Sequence, residues 1–347
     1  MKTIGLVVHA LDGGGTQKVV TRLADFWQEN HLANVIVFFY SGEDNPGLFK
    51  TVRVKKQRVA DDITDHLVAA DLVLDALFMH SYDAYKAALE MRSERILKLF
   101  SCIHADYYTM YYRWYSPFKN WQRSVKYRKL FNHRSIIFNS EGVKKNLLEK
   151  IGLEVQDGYV IPPSIEIARL TEQAHVSIAD DLPQTFFVVV SRLSANKQIH
   201  LAFEALQSFS EEMHLVVLGD GPERERLQQQ ARKLGLQDRV MFYGWVDNPY
   251  PIMKRAEFVA VFSRSEGFSI VVAEAMALGV MPLALRSAGP VSILEKSFPS
   301  LLLDKSDLVS LGNKFESGNF KEYSEALKAE AAQYDIGVVA QQYLDLV

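Results

Sequence analysis

The chain has 347 residues, of which 48% are hydrophobic and 23% charged, and a net charge of −3. This balance excludes a disordered chain and a uniformly basic nucleic-acid binder, and the length exceeds the ~250–300 residues that one core serves, so two domains are expected. The single cysteine, Cys102, cannot form an internal disulfide, which points to a reducing, cytoplasmic setting.

In chain order, the apolar run Ile4–Val8 is broken by His9 and followed by Asp12 and three glycines. That does not fit the ~7–15-residue apolar run of a signal peptide. Thr3–Ala10 reads as a buried strand, Leu11–Gly15 as a loop and Gln17–Asn30 as an amphipathic helix. Strands are expected at Val35–Tyr40, Leu72–Leu77, Ile96–Ser101 and Arg134–Asn139, with a helix at Glu141–Ile151 and a short strand at Tyr159–Ile161. Pro162 and Pro163 interrupt this rhythm, and residues 162–184 read as an interdomain linker. The rhythm then restarts. Strands are expected at Phe186–Val190, Leu215–Leu218, Val240–Tyr243, Phe258–Phe262 and Met281–Ala284, and helices at His200–Phe209, Arg224–Leu234 and Lys321–Leu346. Short apolar strands alternating with helices predict an α/β chain of two Rossmann-like doubly wound domains, whose ligands sit beyond the strands' carboxyl ends. The expected bounds are 1–165 and 184–329, with a helix at about 330–347 packing back on the first domain.

Four constellations could carry chemistry. The first is Asp12-Gly13-Gly14-Gly15, between a strand and a helix. Glycines there let a phosphate approach the free N–H groups of the helix, although a tight turn explains them equally well. The second is Ser191-Arg192-Leu193-Ser194-Ala195-Asn196-Lys197, a loop whose Arg192 and Lys197 suit a diphosphate or are two solvated cations. The third, Gly219-Asp220-Gly221-Pro222, reads first as a strand-to-helix turn. The fourth is Ser265-Glu266-Gly267-Phe268-Ser269 followed by a helix that carries Glu274. Glu266 stands at the helix mouth. Glu274 lies among apolar residues, where a carboxylate needs partners: a bound polyol, helix N–H groups, or a cation in a structural ion pair.

The order Arg192/Lys197, Gly219-Asp220-Gly221, Val240–Gly244 and Glu266-x7-Glu274 resembles the retaining glycosyltransferases of the GT-B fold, in particular family 4, over nearly the whole chain. The resemblance implies two domains facing across a cleft, an N-terminal one for the acceptor and a C-terminal one for a nucleotide-diphosphate sugar, UDP rather than GDP or ADP. It implies that Gly14, Gly15, Gly267, Phe268 and Ser269 cradle the diphosphate by backbone N–H groups, with Gly219 and Gly244 close to the ligand. It further implies that Arg192 and Lys197 neutralise the diphosphate, that Glu266 binds sugar hydroxyls, and that Glu274 binds the ribose diol. His104 is expected to face the donor sugar, and Trp245 is a candidate base contact. Two departures stand out. Ser269 occupies a place often held by glycine, and Pro163-Ser164-Ile165-Glu166 replaces a frequent Asn-Gly-Val-Asp. No Asp-x-Asp occurs in the chain, so neither a metal nor a resident cofactor is expected. Arg192, Lys197 and helix N-termini are expected to supply the charge stabilisation. The candidate nucleophiles Asp12 and Asp106 are poor ones. Two other readings stand beside this one: a nucleotide-sugar epimerase on the same fold, and a non-catalytic scaffold subunit.

Charge is partitioned. Residues 1–165 carry +4 and residues 166–347 carry −7. The excess in the first half comes from residues 107–134, which hold 10 of the 39 aromatics, seven Lys/Arg and no acid. Arg113, Trp114, Lys119, Trp121, Arg123, Lys126, Arg128 and Lys129 are therefore candidates for a glycan or glycolipid acceptor face or an anionic membrane surface. The alternative is a helix that packs its aromatics inward and leaves a solvated basic face. The acidic second half speaks against a nucleic-acid partner. No stretch reaches the ~18 apolar residues of a spanning helix, so a soluble chain, at most peripheral on a membrane, is expected.

Overall fold

A computed structural model describes residues 1–10, 15–41, 55–58, 63–81, 84–86, 94–111, 116–177, 182–317 and 323–347. The chain forms two compact units, Met1–Ser164 with Ile336–Val347, and Ile165–Asp335.

The first unit is built on a seven-stranded parallel sheet. Its strands are β1 (Lys2–Ala10), β2 (Ala33–Ser41), β3 (Lys55–Arg58), β4 (Ala76–Met79), β5 (Leu99–Ile103), β6 (Ser135–Phe138) and β7 (Asp157–Val160), in the order β3-β2-β1-β4-β5-β6-β7. The inner strands are buried nearly end to end, as a sheet covered on both faces requires. The outer strand β3, Lys-Lys-Gln-Arg, is charged and has no apolar signature, so the sequence reading missed it. Its charges suit a sheet edge. The C-terminal helix Ile336–Asp345 buries Val339, Ala340 and Tyr343 against this unit's core. There Trp27 Nε1 donates to Ala340 O at 3.2 Å, and Tyr343 meets Phe78 edge-on at 5.2 Å.

The second unit has a six-stranded parallel sheet. Its strands are β8 (Phe186–Val190), β9 (His214–Leu218), β10 (Val240–Gly244), β11 (Phe258–Val261), β12 (Met281–Leu285) and β13 (Leu302–Leu303), in the order β10-β9-β8-β11-β12-β13. In both sheets the order reverses beside the first strand, between β1 and β4 and between β8 and β11. Each reversal opens a crevice beyond the carboxyl ends of the strands.

Several sequence expectations shift. The strand expected at Leu72–Leu77 begins at Ala76, and that expected at Ile96–Ser101 begins at Leu99; Val73 (51%) and Leu97 (63%) are exposed. Apolar residues leading into a strand look like strand, but here only the isolated bridge Leu74–Ile96 joins the two segments. The helix expected at Glu141–Ile151 is an α-helix, Glu141–Lys145, that widens into a π-turn, Asn146–Ile151. Its start is set by Ser140, whose hydroxyl accepts from Val143 N at 3.2 Å. The segment read as a linker holds a helix, Ile167–Gln173, with Leu170 and Ala174 in the second unit's core. Ile165 N also donates to Tyr334 O at 2.9 Å. Two well-spaced apolar residues are enough to seat a seven-residue helix, and composition alone does not show that.

Candidate active site

In the second unit the loops after β8 and β11 meet at the reversal. Lys197 Nζ donates to Glu266 Oε1 at 2.6 Å, with side-chain exposures of 27% and 16%. Asn196 ties the same two loops together: its Nδ2 donates to Ser265 O at 2.9 Å, and its carbonyl accepts from Arg264 N at 2.8 Å. Strand order thus brings together residues 69 positions apart. Arg192, by contrast, is exposed and makes no ion pair among the described residues.

Glu266-Gly267-Phe268-Ser269 runs into the Ile270–Ala277 helix. Phe268 and Ser269 are buried, and Ser269 takes φ 84° and ψ 76° at the N-cap. The first N–H groups of a helix have no partner within it and carry its positive dipole end, a favourable place for phosphate oxygens. The loop is braced from behind by Gly289, whose N–H donates to Glu266 O at 3.0 Å. A Cβ at Gly289 would stand 2.2 Å from Phe268 O, so only glycine lets its helix, Ala288–Leu294, approach the loop. Four residues into its helix, Glu274 is 8% exposed, and Tyr250 OH donates to its Oε1 at 3.0 Å. The partner that the apolar surroundings demanded is at least in part a tyrosine.

Gly219, at the end of β9, donates to Gly244 O at 2.6 Å. Its φ is +130°, and an added Cβ would meet Ser191 O at 1.9 Å. The glycine turn therefore holds the β8 loop in place. Beyond Gly244, Trp245 is 69% exposed and its Nε1 donates to Asp247 Oδ1 at 2.8 Å.

In the first unit, Gly14 of the glycine loop, Arg113 and Trp114 of the aromatic-basic segment, and Asp12 lie outside the described residues. Gly15 is the first residue of the Gly15–Glu29 helix. His104 follows β5 and is half-buried. Its Nε2 lies 2.8 Å from His80 Nδ1, with the rings stacked at 5.1 Å. Burial lowers the His104 imidazole to about pKa 4. Burial, and then the neighbouring His104, hold His80 well below the usual histidine range. Asp106 is 1% exposed, and its carboxylate accepts from Thr109 N and Oγ1 and from Asn146 Nδ2 at 3.0 Å.

The Pro117–Phe131 helix has two apolar faces. Ser124, Tyr127, Leu130 and Phe131 are buried, and Tyr107 stacks on Tyr127 at 4.9 Å. On the opposite face Phe118 (66%), Trp121 (57%) and Val125 (44%) are exposed, with Phe118 and Trp121 stacked at 5.9 Å. Lys119, Lys126 and Lys129 are exposed around this stripe, whereas Arg123 and Arg128 are half-buried. The aromatics are thus divided between core and surface. Among the described residues no helix is long and apolar enough to cross a membrane, and no three His, Cys, Asp or Glu side chains gather as a metal site.

The sequence reading missed His80, Asn196, Tyr250 and Gly289. Asn196 sits inside the motif already singled out, and His80 sits at a strand's carboxyl end, which was the available signal. Nothing local marks Tyr250 or Gly289, because their partners are distant in sequence.

Among curated proteins, the chain is 30% identical over 142 residues to the N-acetylgalactosamine-N,N'-diacetylbacillosaminyl-diphospho-undecaprenol 4-alpha-N-acetylgalactosaminyltransferase of Campylobacter jejuni, covering 41% of this chain and 38% of that one. It is 23% identical over 205 residues to the lipopolysaccharide 1,6-galactosyltransferase of Escherichia coli, covering 56% of each. The chain therefore spans less than two thirds of the length of these relatives. Among solved structures, HepE from Anabaena, in complex with UDP-glucose, superposes with a TM-score of 0.81 at 18% identity, covering 100% of this chain and 99% of that one. WaaG, a glycosyltransferase involved in lipopolysaccharide biosynthesis, superposes with a TM-score of 0.71 at 14% identity over 99% of both chains. The chain has the GT-B fold, and residues 171–333 match the family Glycosyl transferases group 1.

Proposed function

We propose that the protein is a retaining glycosyltransferase that moves a sugar from a nucleotide-diphosphate sugar, a UDP-hexose or UDP-HexNAc, to a lipid-linked or cell-surface glycan acceptor. The observation that carries this reading is the Lys197–Glu266 pair at the β8–β11 reversal, beside the mouth of the Ile270–Ala277 helix. A cation, a carboxylate and a helix N-terminus lie together where an open sheet takes its ligand. The match over residues 171–333 covers these groups. The UDP-glucose in HepE and the acceptors named for the curated relatives support the donor and acceptor classes.

In the mechanism, Lys197, Arg192 and the helix N–H groups hold the diphosphate and stabilise the charge that develops as it leaves. Glu266 orients the sugar hydroxyls and Glu274 the ribose diol. The acceptor oxygen bonds to the anomeric carbon on the face that the diphosphate departs. The bond from that carbon to the phosphate oxygen breaks, and the acceptor's proton passes to the departing oxygen. Products are the extended acceptor and the nucleoside diphosphate. Asp106 already accepts three hydrogen bonds, which supports this route over one through a carboxylate nucleophile. Lys119, Lys126, Lys129 and the Phe118–Trp121 stripe form a surface suited to anionic lipid headgroups, so the chain is read as peripheral on the cytoplasmic face of a membrane.

A donor-hydrolysis screen with UDP-, GDP- and ADP-sugars tests the reading; UDP-sugars should be cleaved fastest. Lys197→Ala should lose transfer by at least the ~100-fold typical of a missing charge-stabilising donor while the chain stays folded. Full activity in that variant sinks the assignment.

A further inference from the structure

His80 follows β4 and His104 follows β5, inner strands that pair directly, so two imidazoles arise side by side at the carboxyl end of the sheet. The 2.8 Å separation of His80 Nδ1 and His104 Nε2 is a hydrogen bond with one proton to share. Both rings are neutral near pH 7 because burial disfavours their charged forms. Two arrangements satisfy this. Either His80 Nδ1–H donates and His104 keeps its own hydrogen on Nδ1, or His104 Nε2–H donates and His104 Nδ1 is bare.

The remaining nitrogen of the buried residue decides between them. His80 is 2% exposed, and its Nε2 is buried with no hydrogen-bond partner among the described residues. If His104 donates, His80 must carry a hydrogen on that Nε2, a buried N–H with nothing to accept it. If His80 donates, its Nε2 is a bare acceptor, the less costly orphan. The backbone on either side is fixed: His80 N donates to Val7 O at 2.8 Å, and Asn139 Nδ2 donates to His104 O at 2.9 Å.

We infer that His80 is a positioning residue. Its Nδ1–H donates to His104 Nε2, locks His104 as the Nδ1–H tautomer, and leaves that N–H as the one donor His104 can turn to a bound molecule. The catalytic part of this inference rests on His104 facing the donor sugar, where a fixed N–H would bind a sugar hydroxyl or a phosphate oxygen. The tautomer itself does not depend on that reading.

The decisive measurement is the long-range ¹⁵N–¹H spectrum of the full chain with ¹⁵N-labelled histidine at neutral pH. His104 should show a protonated Nδ1 and a bare Nε2; the reverse pattern, or a doubly protonated ring, overturns the inference. Two variants test the consequence. His80→Phe keeps the ring without the donor, and should let the His104 tautomers mix and lower kcat by about 10–100-fold, by analogy with removal of the hydrogen-bond partner behind a metal-bound imidazole. The donor KM should stay unchanged. His80→Asn places an amide N–H where Nδ1 was, and should restore both the spectrum and most of kcat. If His80→Phe keeps full kcat, or His80→Asn shows no recovery while remaining folded, His80 is structural only. If the wild-type chain turns over no nucleotide sugar, the glycosyltransferase reading fails, and the spectrum still decides the tautomer.

Discussion

Ser269 holds φ at 84°, a region in which a non-glycine residue stores on the order of 1–3 kcal/mol. The position is the N-cap before the Ile270–Ala277 helix, and the resemblance already marked it as one often held by glycine. Ser269→Gly should raise unfolding stability by about 1 kcal/mol, less than the full strain because glycine also loosens the unfolded chain. Chemical denaturation reads this directly, and a drop in stability would mean that the hydroxyl makes a bond worth more than the strain. His80 and His104 set a pH dependence of the same kind. Their folded pKa values lie below the unfolded value near 6.5. As pH falls from about 6.5 toward 4, the unfolded chain takes up protons that the folded chain refuses, so stability is lost on the acid side. The urea midpoint of the wild-type chain should fall over this window more steeply than that of His80→Asn. Parallel curves for the two proteins would remove the histidines as the cause. Lys197, Glu266 and Glu274 were legible in the sequence because their motifs lie at strand ends. His80 and Tyr250 gain their meaning only from residues 24 positions away in each case.

At the scale of elements, the Pro117–Phe131 helix shows how far periodicity reaches. Its aromatic and basic composition was plain from the sequence, yet only packing divides Tyr127 and Phe131 from Phe118 and Trp121. The buried set repeats at helical spacing on one face, and the exposed apolar set repeats on the other. An exposed apolar stripe bordered by lysines suits a headgroup layer. The chain should therefore co-sediment with anionic liposomes at low salt, and Phe118→Ala with Trp121→Ala should weaken that binding. As surface changes they should move stability by no more than about 0.5 kcal/mol. A wild-type chain that stays in the supernatant at low salt would remove the membrane reading. Elsewhere the alternation of strand and helix was readable, but β3 was missed, and β4 and β5 begin four and three residues later than the apolar runs suggested. Strand limits are set by the neighbour that offers hydrogen bonds, which a single segment does not reveal.

The whole molecule departs from a simple division into two consecutive domains. The chain leaves the first unit after Ser164 and returns to it at Ile336. The returning helix buries Val339, Ala340 and Tyr343 beside Trp27 and Phe78. Each large side chain so buried contributes about 1.5–3 kcal/mol, against a total domain stability of about 5–15 kcal/mol. A chain ending at Asp335 should therefore lose the cooperative transition of the first unit in calorimetry while the second unit still melts as a unit. Two intact transitions would show that the helix adds little. Charge shows the same division between local and spatial information. The excess of the first half was located by counting, but whether those cations stand in solvent depended on which helix face the core claimed.

The sequence by itself determined the α/β class, the two Rossmann-like repeats and the order of the glycine, cation and carboxylate motifs. These follow from strand and helix periods and from turn chemistry, which act over a few residues. Tertiary structure decided the pairing of Lys197 with Glu266, the contact of His80 with His104, and the second apolar face at Phe118 and Trp121. Each of these depends on parallel strands placing distant loops side by side at the carboxyl end of one sheet, or on a core choosing which face of a helix to bury.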